Sequence, residues 1–126
     1  MKRLWIGVGI LLFFLAAGIA VTVCFHHIHT PIQQTLEDAS QKALAGQWEE
    51  AVALSQNARQ RWERFRHFVA ATADHEPLEE MDDLFSQLEI CRAQRWEAEF
   101  AVLCARLAQM AAAMEESHAF AWWTLL

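Results

Sequence analysis

Leu4 to Phe25 form one unbroken apolar block: no charge interrupts it, and only Gly7, Gly9, Gly18 and Thr22 are not hydrophobic. As a helix this block rises about 33 Å, enough for a hydrocarbon core of roughly 30 Å. Beyond it the pattern turns amphipathic. Thr30-Pro31 predicts an N-cap followed by proline at the first helical position. Ile32, Leu36, Ala39, Ala43 and Leu44 then recur at helical spacing, and Gly46 predicts the end of that helix. The next run keeps one stripe of Trp48, Ala51, Val52, Ser55, Ala58, Trp62, Phe65 and Val69, reaching to about Ala73. Asp74 reads as the N-cap of a further helix whose apolar positions are Leu78, Met81, Phe85 and Leu88. Trp96, Phe100, Leu103, Leu107, Met110 and Met114 make the most regular stripe of all.

Between Leu88 and Trp96 the register drifts, although Arg92-Ala93-Gln94-Arg95 contains no breaker. A single helix of about 40 residues, about 60 Å long, and a tight helical hairpin both fit. The hairpin is preferred, because a lone helix of that length needs an equally long partner. No stretch alternates as a strand does. The expected fold is therefore all-α: one N-terminal transmembrane helix followed by an antiparallel bundle of three to four helices in two hairpins. An internal echo supports this, since Gln47-Trp48-Glu49-Glu50-Ala51 returns as Arg95-Trp96-Glu97-Ala98-Glu99. Each copy would open the second helix of a hairpin, with its tryptophan buried at the corner. Ala45 to Ala51 is also similar to the turn of tetratricopeptide repeats, but one copy is far short of an array.

Charge sets the expected topology. Lys2 and Arg3 precede the apolar block, and no Lys or Arg occurs after it until Lys42. The positive-inside rule then leaves residues 1–3 in the cytoplasm and exports residues 26–126. Residues 4–25 read as an uncleaved signal anchor, because a signal peptide has a shorter apolar region ending in a small-x-small site. Here the candidates near Ala17 and Ala20 lie inside the run. Residues 26–30 form a His-rich juxtamembrane segment, 31–117 the bundle and 118–126 an apolar, aromatic tail. Eight of the ten basic residues and all sixteen acidic ones lie beyond Phe25. So acidic an exported part is a poor polyanion binder, which argues against nucleic acid.

With this layout the chain resembles a family of short bacterial proteins defined as a domain of unknown function (DUF 4363). The resemblance is carried by the Gly46-Gln47-Trp48-Glu49-Glu50-Ala51 turn, by Trp62, by His75 before Leu78-Glu79-Glu80-Met81-Asp82 and by the apolar C-terminal end. It implies a basic N-terminus, one membrane helix and a helical tail, and it supplies no catalytic residues.

Three groups of residues are candidates for chemistry or binding. His26, His27 and His29 lie just past the apolar block, near Cys24, where imidazoles at helical spacing suit zinc or copper; equally, histidines are tolerated at headgroup level. Asp74, Glu76, Glu79, Glu80, Asp82 and Asp83 crowd carboxylates into the start of one helix, where acids also complement the helix dipole. Phe120, Trp122 and Trp123 in the tail must pack on the bundle, enter the membrane interface or dock a partner. Packing on the bundle is the default. Cys91 and Cys104 fit small buried hydrophobes better than a disulfide. No zincin spacing, nucleophile elbow or glycine-rich phosphate loop is present in the sequence, so no enzyme and no cofactor are expected. The expected partners are the bilayer, through Leu4 to Phe25, and another envelope protein. The alternative role is an extracytoplasmic sensor of a metal or small ligand, using the histidines or an interhelical pocket.

Overall fold

A computed structural model describes the backbone at residues 1–71 and 75–125, and the side chains there except at 25, 26, 28–30, 68, 69 and 118–125. Among the described residues it contains four helices and no strand: α1 (Lys2–Leu44), α2 (Trp48–Ala70), α3 (His75–Gln94) and α4 (Glu97–Leu125). The all-α expectation holds. The Lys2–Cys24 part of α1 is long and apolar enough to cross a membrane.

The first correction concerns Thr30-Pro31. No helix begins there; α1 is a single helix of 43 residues with Pro31 inside it. Proline removes one backbone donor and crowds the carbonyl of His27, at a cost of about 3 kcal/mol in a helix interior. The helix runs through because one face serves both of its halves. Val21 packs against the core of the bundle, and Ile32, Leu36, Ala39 and Ala43 are buried within it. The Thr35 hydroxyl donates to the Pro31 carbonyl at 2.6 Å. The boundaries expected at residues 25 and 30 are therefore not breaks in structure.

The turns after α1 and α3 share one geometry. At the end of α1, Gly46 has φ 79°, with Gln47 N–H bonded to the Lys42 carbonyl and Gly46 N–H to that of Ala43. At the end of α3, Arg95 has φ 55°, with Trp96 N–H bonded to the Cys91 carbonyl and Arg95 N–H to that of Arg92. Both are Schellman caps, which satisfy carbonyls that a helix end leaves orphaned. Matching the positive-φ residues pairs Gly46 with Arg95, and so Trp48 with Glu97 rather than Trp96. The echo seen in the sequence is thus offset by one residue from the repeat of structure.

α1 and α4 share the most extensive contact, α1 with α2 and α3 with α4 come next, and α2 meets α3 only sparsely. The α1–α4 seam is built from small residues. Ala39, Ser40 and Ala43 on α1, and Ala101, Cys104, Ala108 and Ala111 on α4, are all buried, and the Ser40 hydroxyl donates to the Ala101 carbonyl at 2.8 Å. Larger side chains fill the rest: Trp62, Phe100, Met81, Phe85 and Leu107. Trp48 sits edge-on to Phe100 with ring centroids 4.9 Å apart.

Candidate functional site

The cap at Arg95 borders an open, largely apolar cleft of the bundle. A Schellman cap commonly brings the residue after the left-handed position against the residue four or five before it. Here that pair is Trp96 and Cys91, and both line a cleft of about 420 Å³ between the end of α3 and the start of α4. Gln87, Ile90, Ala98, Glu99, Val102 and Leu103 complete its wall. Cys91 and Leu103 are buried at its floor. Ile90, Trp96 and Val102 remain 56%, 50% and 61% exposed. The sequence predicts a buried corner for Trp96; instead it stands half in solvent, because the residue after a Schellman turn lies outside the helix and its core-facing stripe.

The charged or amide side chains of the wall are Gln87 and Glu99, and a further ion pair lies beside the cleft. Arg95 pairs with Glu97 at 3.4 Å, with Arg95 largely exposed. Cys91 is held above the ordinary thiol range, first by burial and then by the Glu99 carboxylate. Cys104, behind it, is pushed up to about 12 by burial, with a further push from Cys91. Both thiols are free and stay protonated at neutral pH, which makes them poor nucleophiles and poor metal ligands. What this cleft offers is apolar surface with a tryptophan at its edge, the residue type that anchors protein interfaces.

A second, polar feature lies where α2 approaches α3. Arg59 bonds Glu63 at 3.2 Å and reaches Glu89 at 3.9 Å, while Arg92 bonds Glu89 from within α3. The Arg92 guanidinium, with burial opposing, holds the Glu89 carboxyl below its usual range, helped by Arg59. The crevice beside this network, of about 10 Å³, has room for one water at most. Nearby, the Trp62 indole donates to Asp82 Oδ1 at 2.9 Å, and Arg66 pairs with Asp82 Oδ2 at 2.6 Å.

The sites expected from the sequence separate differently. His27 is exposed on α1; the side chains of His26 and His29 lie outside the described residues. Among the described residues no three His, Cys, Asp or Glu side chains gather as metal ligands would. Glu76, Glu79, Glu80 and Asp83 lie on α3, Asp83 accepting a bond from Gln87, while Asp82 turns to Trp62 and Arg66; Asp74 lies outside the described residues. The side chains of Phe120, Trp122 and Trp123 also lie outside them, though the backbone of α4 is helical to Leu125. Sequence reasoning does not single out Ile90 and Val102. Their signal is there all the same: each is a large apolar residue off its helix's buried stripe. No family model, curated protein or solved structure matches the chain.

Proposed function

We propose that this protein is a non-enzymatic accessory of the bacterial cell envelope. Residues 4–25 anchor it as a single-pass signal anchor with the N-terminus in the cytoplasm, and the bundle binds another envelope protein outside. The helices form two antiparallel hairpins, α1 with α2 and α3 with α4, a reading supported by the short turns at Gly46 and Arg95 and by the contacts of each pair. The observation that carries the binding role is the exposed trio Ile90, Trp96 and Val102 around a cleft at the end of the bundle away from the apolar span. Cys24 and Leu44 are twenty residues apart on one helix, so the cleft stands about 30 Å above the bilayer. A photo-crosslinking residue at Val102 should capture one reproducible envelope protein, and Ile90→Asp should abolish the adduct. Equal capture from position 64, on α2, would refute a specific interface. Protease added to intact protoplasts should digest the bundle and leave a membrane stub; full protection would reverse the orientation.

The cleft's volume also falls within the range of small-molecule sites, which favours a ligand sensor as the second reading. Such sites need a few convergent polar groups, and this one offers only Gln87 and Glu99. Mass spectrometry of the purified full chain under native conditions separates the two: a stoichiometric bound ligand or metal supports the sensor.

A further inference from the structure

The α1–α4 pairing has a register that can be traced past the bundle. Ser40 lies four residues from the end of α1 and is bonded to Ala101, four residues after the start of α4. Were the two helices parallel, α4 would run off the end of α1 within a few turns. Their contact is the most extensive in the protein, so α4 runs back along α1. Each residue gained along α4 from Ala101 matches one lost along α1 from Ser40. Glu116 is then level with Phe25, and Leu125 with Ala16, well inside the apolar span. The 3.0 Å pair of Lys42 with Glu50 sets the α1–α2 register in the same way and brings Arg66 level with His26.

Charge obeys this geometry. Arg66 is the last charged residue of α2, and Glu116 the last of α4. Both stop at the level where the apolar block of α1 begins. Beyond Glu116 the sequence reads Ser117-His118-Ala119-Phe120-Ala121-Trp122-Trp123-Thr124-Leu125-Leu126, without an ionised group in any side chain of the last eight residues. A second observation comes from α1 itself. Between Leu4 and Cys24 every residue is exposed except Gly18 and Val21, which share one face and are partly shielded. The register places them level with Trp123 and Phe120.

From these observations we infer that residues 119–125 of α4 lie in the outer half of the bilayer against the Gly18–Val21 face of α1, with their remaining faces on lipid acyl chains. Glycine at the contact lets the two backbones approach, as small residues do between membrane helices. The α4 backbone is helical to Leu125, so its N–H groups are bonded within the helix and only the carbonyls of its last turn enter the bilayer without an intrahelical partner. Trp122 and Trp123 come level with Ile19 and Gly18, about 9 Å below the Phe25 level. The bundle is thereby pinned to the bilayer at two points rather than tethered by one.

This inference rests on the reading of residues 4–25 as a membrane span, and the test separates the two. The full chain is reconstituted in phosphatidylcholine vesicles with and without lipid brominated midway along one acyl chain, which quenches tryptophan only on contact within the bilayer. The double substitution Trp122→Phe/Trp123→Phe should remove quenched emission. Trp96→Phe should remove only unquenched emission, and Leu11→Trp, mid-span on α1, should add quenched emission. If the double substitution removes only unquenched emission while Leu11→Trp adds a quenched component, the tail lies outside the bilayer and the inference falls with the span intact. If Leu11→Trp adds none, the spanning reading fails and takes the inference with it.

Discussion

Trp62 gives two sparsely joined helices a buried anchor beside the ion pairs of Arg66 with Asp82 and Arg59 with Glu89. α2 and α3 touch sparsely, yet the indole is 1% exposed and donates to Asp82, which Arg66 also holds. Trp62→Phe removes the donor and one ring. A hydrogen bond to a charged acceptor contributes about 1.5–3 kcal/mol, and the lower end applies because Asp82 is half-buried and water replaces the indole there. The volume lost from a buried aromatic adds about 1 kcal/mol, giving about 2–3 kcal/mol in all. Asp82→Ala strands the buried indole N–H and should cost about 2 kcal/mol, whereas Asp82→Asn keeps an acceptor and loses only an exposed ion pair, under about 1 kcal/mol. The double variant Trp62→Phe/Asp82→Ala should fall short of additivity by about 1–2 kcal/mol. Thermal melts of the full chain in mild detergent, monitored by near-UV circular dichroism, read these differences. For a domain of this size 1 kcal/mol is roughly 4–8 °C. Additivity of the two single changes within about 0.5 kcal/mol would show that the bond is not coupled in solution and would refute the account.

Arg95→Gly should stabilise the bundle by about 1 kcal/mol, because Arg95 holds φ 55° at a side-chain penalty that glycine does not have; Gly46→Ala should cost a similar amount, and a destabilised Arg95→Gly would mean its side chain matters more than its backbone. Cys104 makes stability fall at high pH. Burial pushes its folded thiol up to about 12, against about 8.5 for an unfolded one, so its contribution is complete below the unfolded value and is lost as pH rises between the two. Cys104→Ala, whose smaller volume lowers stability at every pH, should flatten that alkaline decline in urea midpoints measured from pH 8 to 10; an unchanged slope would place the thiol in water.

The stripes legible in the sequence are the ones that large apolar residues mark. Leu78, Met81, Phe85 and Leu88 on α3, and Phe100, Leu103, Leu107 and Met114 on α4, are all buried as their spacing predicts. Gly46 ends its helix as expected, because glycine adopts the left-handed conformation freely. Arg95 ends α3 without any such signal. A penalty of about 1–2 kcal/mol for left-handed arginine is small beside the burial gained by folding two helices together, so tertiary packing decides and composition does not show it. Pro31 misleads for the complementary reason: a local breaker loses to one continuous buried face. The cleft is hidden because Trp96 continues the periodic stripe in sequence while the cap turns it out of the helix.

Continuity of α1 changes what anchoring means here. A flexible juxtamembrane segment would leave the bundle free to tumble at the end of a tether, and any partner would have to find it. With Lys2 to Leu44 in one helix, the apolar segment and the bundle share an axis, and α2 and α4 pack on the same helix that carries the proposed membrane span. Orientation is then set at folding rather than at binding. In the proposed role, little rotational freedom would remain for the Ile90–Trp96–Val102 face to lose on docking, so a modest apolar patch would suffice where a tethered one would need more area. The same rigidity fixes its height. Under the proposed function, an envelope partner would have to present a complementary apolar surface about 30 Å from the bilayer, and one that offered it closer to the lipid would meet the charged flank of α2 instead, where Arg59, Arg64 and Arg66 are already engaged or solvated.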